Sequence, residues 1–206
     1  MHWIEGIKYF DIEILLFINS LHTPFLDHLI FWMTKVWFWL PFFAWIIYAL
    51  IKKYKSKTWV VLLFCALSIT LTDRSSVFIK NKIQRLRPSH QMIFQDYLHL
   101  HTFDNGKVYR GGPYSFVSSH AANSFGLVVL LIYFFTPITR HRWWIFPAWA
   151  FIFCLTRIYL GVHYPSDIFA GAVLGLLCGL FILLLHHIFI LIVIKYQTRK
   201  HEQTDT

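Results

Sequence analysis

The longest apolar stretch of the sequence limits the folds that this chain can adopt. Between Asp167 and Lys195 there is no Asp, Glu, Lys or Arg. A helix needs about 20 apolar residues to cross the hydrocarbon core of a bilayer, so a helix starting at Pro165 is long enough to span a membrane with some tilt. With 57% hydrophobic and only 14% charged residues, the chain is predicted to be an integral membrane protein.

Four further apolar runs complete the predicted fold. They cover approximately residues 29–51, 58–79, 118–137 and 143–160. Residues 7–18 are apolar but interrupted by charged side chains, which favours an interfacial helix over a sixth span. We therefore predict an all-α, polytopic membrane helix bundle with five to six transmembrane helices. All of it belongs to one domain, residues 1–206, with an N-terminal interfacial segment at 1–24 and a cytoplasmic tail at 195–206.

The basic residues indicate an orientation for this bundle. The formal charge of +9 does not point to nucleic acid, because the cations lie at the ends of apolar runs, where they set topology and contact anionic head groups. The segments 52–57, 139–142 and 195–200 together carry nine Lys or Arg and no Asp or Glu. The positive-inside rule places these three segments in the cytoplasm, so the connections 81–117 and 160–165 are predicted to face outwards, from a bacterial inner membrane.

A histidine and a carboxylate lie at the start of the last span. Pro165 suits the first position of a helix, which places Asp167 in the first turn and His163 just before it. A carboxylate that binds one imidazole nitrogen leaves the other free as a nucleophile or base. Arg157 ends the preceding span. Taken alone, the same residues also fit an ordinary polar helix start.

Two cations follow the second predicted span. Lys80 and Arg87 are seven residues apart and share a helix face if the helix continues that far, although Pro88 favours an extended end at Arg87. A lysine and an arginine held together suit a phosphoryl group. Lys82 and Arg85 are predicted to be interfacial anchors.

A serine and a histidine open the third predicted span. Ser118 can cap the helix, and the free backbone N–H groups of a helix N-terminus bind anions. His120 in the first turn can donate a proton to the group that leaves such an anion. By itself His120 also fits an interfacial histidine, but three such sites at successive helix mouths favour a shared function.

Three motifs, in order, resemble the signature of the type-2 phosphatidic acid phosphatase superfamily of membrane lipid phosphatases. The segment 80–88 matches K-x6-R-P, the segment 115–120 is similar to S-F-P-S-G-H, and the segment 156–167 resembles S-R-x5-H-x3-D. The resemblance covers residues 25–195. Val117, Ser119 and Thr156 stand where the family has Pro, Gly and Ser.

The resemblance implies a role for each matching residue. His163 attacks phosphorus and forms a phosphohistidine, Asp167 orients its imidazole, and His120 protonates the leaving oxygen and then activates water. Family members use no metal or other cofactor. The phosphoryl oxygens are held by Lys80, Arg87, Ser118, Ser119 and Arg157.

Several residues outside the motifs also lead to predictions. Asp73 shares a helix face with Lys80 and is predicted to position it. His99 and His101 have a spacing that fits metal binding on a strand, but a solvated loop is the favoured interpretation. The three cysteines lie in apolar runs and are predicted to be unpaired, and His186 is predicted to pack between helices.

The predicted function is dephosphorylation of a membrane lipid, with a lipid phosphate and membrane lipids as partners. A polyprenyl diphosphate such as undecaprenyl diphosphate is slightly favoured as the substrate, because a modest outer loop leaves little protein to bind a large sugar head group. Phosphatidylglycerol phosphate, phosphatidic acid and the lipid A phosphates fit the same cationic site. A lipid phosphotransferase and a non-catalytic membrane protein are the competing functions.

Overall fold

The computed structural model describes residues 2–103, 105–139 and 142–204. Within these residues the chain forms seven α-helices and no β-strand, which confirms the all-α fold. The helices are α1 (His2–Ser20), α2 (Pro24–Met33), α3 (Val36–Tyr54), α4 (Thr58–Ile83), α5 (Ser119–Thr139), α6 (Ile145–Tyr159) and α7 (Pro165–Thr204). Helix α7 continues through the basic segment after Lys195, which was predicted as a separate tail.

Three helical stretches are long and apolar enough to cross a membrane. They are Val36–Ile83, which contains α3 and α4 with a tight turn between them, Ser119–Thr136 and Pro165–Lys200. The fourth predicted span corresponds to α6, which has 15 residues and is therefore shorter than a typical span. The described residues of the connection 84–118, the predicted outer loop, contain only short 3-10 turns and isolated β-bridges, as predicted for a polar connection.

The N-terminal region differs from the prediction because a separate helix precedes α3. The first span was predicted to begin near residue 29, but α2 ends at Met33 and Lys35 adopts an extended conformation. Thr23 caps α2 by accepting a hydrogen bond from Leu26 N at 3.2 Å. The part of α1 from Lys8 to Ser20 and the helix α2 are bent by 114° relative to each other. Together they are long and apolar enough for a broken span or a re-entrant loop. The interfacial position of residues 1–24 stays a prediction.

Contacts between helix ends bring the end of α3, next to the basic segment 52–57, close to the end of α5 and the start of α6, which flank the segment 139–142. Lys53 Nζ and Tyr54 OH at the end of α3 both donate to Phe134 O, at 3.1 and 3.0 Å. The rings of Phe135 and Phe146 lie 5.0 Å apart and bring the start of α6 to the same end. The helix ends next to the basic segments 52–57 and 139–142 therefore lie at the same end of the bundle, and the side of the membrane that this end faces stays a prediction. Arg140 and His141 lie outside the described residues.

Helices α5 and α7 approach each other closely because α7 presents glycine at four-residue intervals. Added Cβ atoms at Gly171, Gly175 and Gly179 would overlap atoms of α5. Small residues at this spacing let two helix backbones pack together in a membrane. The close packing holds the first turns of the two helices side by side, where Ser118 N donates to Asp167 O at 2.9 Å. This contact joins two of the predicted site segments.

An apolar core fills the bundle below the outer loop. His186 is buried there, with its ring 4.9 Å from Phe64 and 5.1 Å from Phe134 in edge-on contacts. Its predicted packing role is confirmed. The cysteines are unpaired, as predicted.

Candidate active site

His163 and Asp167 form the centre of the site. His163 lies in the turn between α6 and α7, and both side chains are fully buried. The Nδ1 atom of His163 lies 3.4 Å from Asp167 Oδ2, which also accepts a hydrogen bond from Tyr164 N at 2.9 Å. A separation of 3.4 Å is longer than a strong hydrogen bond, as is common before substrate binds. The carboxylate thus faces Nδ1 and leaves Nε2 available for chemistry.

The surroundings of His163 favour a neutral imidazole. Burial lowers the pKa of His163 well below its usual range, and the positive charges of Arg87, Lys80 and Arg157 lower it further. A neutral imidazole carries the lone pair that a nucleophile needs. Neither imidazole nitrogen of His163 has a hydrogen-bond partner among the described residues. Nδ1 faces Asp167, so Nε2 is the nitrogen that remains for reaction.

Two arginines from different segments lie beside His163. Arg87 donates from Nε to Tyr114 O at 3.1 Å and from Nη1 to Val162 O at 3.4 Å, next to His163 in the chain. Arg157 is only 3% exposed and donates from Nη1 to Tyr109 OH at 3.2 Å. Its Nε is buried without a partner among the described residues. Buried cationic donors of this kind suit the oxygens of a phosphoryl group.

Lys80 extends from α4 to the start of α5. Its Nζ donates to Val117 O and, at 3.1 Å, to Ser119 Oγ, and Ser76 Oγ donates to the same Ser119 Oγ at 2.8 Å. The Asp73 side chain is exposed and makes no hydrogen bond to Lys80 among the described residues, so its positioning role stays a prediction. The hydroxyl at position 119, where the family has glycine, contacts Lys80 directly.

The start of α5 provides the expected helix N-terminus. Ser118 Oγ accepts a hydrogen bond from Ala121 N at 3.3 Å and so caps the helix, while the Ser118 N–H is used by Asp167 O. Ser119 is not among the described residues with positive φ, so serine can replace glycine there without backbone strain. The His120 ring lies 5.6 Å from the ring of Phe153, beside an apolar cavity.

Arg85 was predicted to be an interfacial anchor, and this prediction is wrong. Its guanidinium donates to Asp11 Oδ2 at 2.7 Å and to Asp167 Oδ1 at 2.8 Å. Asp11 is 4% exposed and also accepts from Ser166 N at 2.8 Å. A charged residue inside an apolar run, such as Asp11, is costly unless it is paired. The position of Asp11 in the sequence therefore indicated that it needs a cationic partner. Lys82 remains exposed beside Phe78, consistent with an anchor.

Three side chains near the turn between α1 and α2 could hold a metal ion, because the ligating atoms of His22, Asp27 and His99 all lie within 4.8 Å of one another. In the structure His99 Nε2 is 2.8 Å from Asp27 Oδ2, and the His99 and His22 rings stack at 3.9 Å. The side chain of Asn19 also bonds both main-chain groups of His99. This part of the loop is therefore held firmly and is not the solvated segment that we predicted.

Comparison with known proteins identifies the family. The sequence model of the PAP2 superfamily matches residues 58–190. The chain belongs to this superfamily. It is 40% identical over 179 residues to the lipid A 4'-phosphatase of Bacteroides thetaiotaomicron, covering 84% of this chain and 75% of that protein. It is 30% identical over 183 residues to the lipid A 4'-phosphatase of Porphyromonas gingivalis, covering 87% and 74%.

A solved structure supports the same fold. The PAP2 type phosphatidylglycerolphosphate phosphatase of Bacillus subtilis superposes with a TM-score of 0.64 at 22% identity, covering 88% of this chain and 87% of that one. The family match and the two relatives, not this structural likeness, show the activity: the chain is an integral membrane protein and a PAP2 lipid phosphatase, which is a hydrolase of phosphoester bonds. The recognition made from the three motifs is confirmed.

Proposed function

We propose that this PAP2 phosphatase removes a phosphate group from a lipid A-type glycolipid through a phosphohistidine intermediate. The observation that carries the proposal is that His163 Nε2 and Arg157 Nε are both buried without a hydrogen-bond partner among the described residues, and that the charge of Arg157 acts on His163; the two offer a nucleophile and a phosphate-binding donor. The two relatives named lipid A 4'-phosphatase support the choice of lipid. The polyprenyl diphosphate substrate stays a prediction without such support.

In the first step, His163 Nε2 attacks phosphorus. A P–N bond forms as the P–O bond to the lipid breaks, and the leaving lipid oxygen takes a proton from His120. Lys80, Arg87 and Arg157 balance the charge on the phosphoryl oxygens, since phosphoryl transfer depends mainly on positioning and electrostatic stabilisation. Asp167 stabilises the imidazolium that forms when His163 Nε2 is phosphorylated.

In the second step, water attacks the phosphohistidine. His120, now neutral, accepts a proton from the water molecule, the P–N bond breaks, and His163 keeps the electron pair. The products are inorganic phosphate and the free imidazole, so no cofactor is consumed. The same residue acts first as general acid and then as general base, as microscopic reversibility requires.

An apolar cavity next to His120 suits the lipid part of the substrate. It has a volume of about 240 Å³ and lies between α3, α4, α5 and α6. Trp39, Phe43, Trp149 and Phe153 contribute to its lining. An acyl chain in this cavity would remain among apolar side chains while the head group reaches His163. By the positive-inside argument, the site faces outwards from the cytoplasmic membrane.

The proposal is tested by phosphate release from a panel of lipids in detergent micelles. The panel contains 4'-phosphorylated lipid A, phosphatidic acid, phosphatidylglycerol phosphate and undecaprenyl diphosphate. We expect the highest kcat/KM for lipid A. His163→Ala should remove turnover, because the variant has no nucleophile, while His28→Ala, an exposed imidazole on α2, should act as wild type.

The intermediate needs a separate measurement. Rapid acid-free quenching with 32P-labelled lipid should trap label on the wild-type protein and none on His163→Ala. Transfer of label to a lipid acceptor instead of water would indicate a phosphotransferase. Equal turnover by wild type and His163→Ala would overturn the assigned nucleophile, and a wild type inert on all four lipids would favour a non-catalytic membrane protein.

A further inference from the structure

The outer loop between α4 and α5 contains an open cavity with a volume of about 610 Å³. We propose that this cavity binds the sugar head group that carries the scissile phosphate of the substrate. The proposal rests on the proposed function and names a binding site for it. The residues that carry the argument are Phe103, Lys107, Tyr109, Arg110 and Gly111, all of which line the cavity.

The cavity shares its wall with the phosphate-binding arginines. Tyr109 OH accepts a hydrogen bond from Arg157 Nη1 at 3.2 Å. Gly111 has a φ of +68° and lies so close to Arg87 that an added Cβ would stand 2.8 Å from Arg87 Nη1. Tyr109 and Gly111 thus lie between the cavity and the two arginines, Tyr109 against Arg157 and Gly111 against Arg87. A sugar joined to a phosphate on these arginines would therefore lie close to the cavity.

The loop around the cavity is fixed by its own hydrogen bonds. Phe103 N donates to Lys107 O at 2.9 Å. Arg110 Nη1 donates to Ser89 O at 2.9 Å, and Ser89 Oγ donates back to Arg110 O at 2.7 Å. A cavity formed by such a held loop is largely preformed, which reduces the entropy lost when a ligand binds.

The side chains of the cavity suit a phosphorylated sugar. Phe103 and Tyr109 offer aromatic rings, 6.5 Å apart and nearly perpendicular, and such rings combine apolar surface with a polar hydroxyl in Tyr. Lys107 is exposed and provides an ammonium group for a second anionic substituent.

The size of the cavity separates two classes of substrate. Ligand sites commonly have volumes of about 300–1,000 Å³, and this cavity falls in that range. In phosphatidic acid the phosphate is esterified to a small glycerol, which would leave most of the cavity unused, whereas the sugar that carries the phosphate of a glycolipid would fill it. The outer loop therefore supplies the space that its modest length seemed to exclude.

The test compares two lipids and three variants of the full-length protein in detergent micelles. Lys107→Ala should raise KM for 4'-phosphorylated lipid A by about three- to tenfold, the effect of one exposed charged hydrogen bond, and Lys107→Glu should raise it further. Neither should change KM for phosphatidic acid. Lys82→Ala removes an exposed cation of the same face away from the cavity and should match wild type on both lipids.

The outcomes separate the binding site from the proposed function. If wild type hydrolyses lipid A and both Lys107 variants match it, or lose activity equally on both lipids, the cavity is not the sugar site but the lipid A assignment survives. If wild type hydrolyses phosphatidic acid and not lipid A, both proposals are overturned. A loss confined to lipid A supports the site.

Discussion

The contact between Arg85 and Asp167 gives the sharpest prediction. Arg85 bonds Asp11 at 2.7 Å and Asp167 at 2.8 Å, and Asp167 in turn faces His163. In the variant Arg85→Gln the side chain keeps a similar length but loses its charge, so Asp167 would lose its positively charged neighbour. We expect the carboxylate, and with it the imidazole, to be held less well.

The expected loss of activity follows from the geometry. A hydrogen bond to a charged group contributes about 1.5–3 kcal/mol, and Arg85 is 26% exposed, which favours the lower end of that range. Because about 1.4 kcal/mol corresponds to a tenfold change in rate, kcat should fall about ten- to thirtyfold. Arg85→Lys should be intermediate, because an ammonium group can contact one carboxylate but does not form the planar fork of arginine.

The pH profile distinguishes positioning from simple misfolding. In the proposed mechanism His163 must be neutral to attack, so activity should be lost as the pH falls through the pKa of His163. Arg85 is one of the cations that lower the pKa of His163, after burial and after Arg87, Lys80 and Arg157. Removing its charge should raise that pKa and move the acidic limb of kcat/KM to higher pH.

A partly unfolded variant would behave differently, because it would lose activity by the same factor at every pH. The assay is phosphate release between pH 4 and pH 9, with Lys82→Gln as the control for loss of one charge on the same face. Wild-type kcat together with an unmoved acidic limb in Arg85→Gln would refute the reasoning.

Two glycine substitutions test the packing around the site. Gly111→Ala should lower kcat/KM on every lipid about tenfold or more, because the new Cβ would displace Arg87 and because a φ of +68° is unfavourable for alanine. Gly112→Ala is the matched control, since there is open space around Gly112. Equal activity of the two variants would contradict the close approach of Gly111 to Arg87. Gly175→Ala should lower the midpoint of thermal unfolding in detergent, because the new Cβ would lie 2.9 Å from Gly126 N. Overpacking of this kind lowers the free energy of unfolding by about 1–3 kcal/mol. A midpoint equal to that of Gly112→Ala would show that α5 and α7 separate easily.

The apolar runs and the three motifs were enough to predict most of the fold and the central residues of the site. Long apolar stretches can satisfy their backbone in a membrane only as helices, so four of the five predicted spans matched helices closely. The helix boundary missed near residue 34 depended on local backbone conformation at Lys35, to which no Pro or Gly drew attention. The glycine spacing of α7 was visible in the sequence and was overlooked.

The carboxylate partners of Arg85 could not be predicted from the sequence. Asp11 and Arg85 are 74 residues apart, and Asp11 precedes the residues matched by the family model. No spacing rule connects them, because their contact depends on how α1 packs against the bundle. The contacts of Ser119, which replaces the family's glycine, could not be predicted from the sequence either. Its hydroxyl lies between Ser76 and Lys80 because α4 approaches α5 there.

The charges of the site explain why so many cations are placed around one histidine. Arg85 is paired with carboxylates, whereas Lys80, Arg87 and Arg157 donate to neutral oxygens of carbonyl and hydroxyl groups. Neutral acceptors orient these cations but do not compensate their charge, and like charges held close together destabilise the folded protein. In the proposed reaction the oxygens of a bound phosphoryl group supply the compensating negative charge. The cations then act by positioning the phosphoryl group and by stabilising its oxygens electrostatically while the P–O bond breaks.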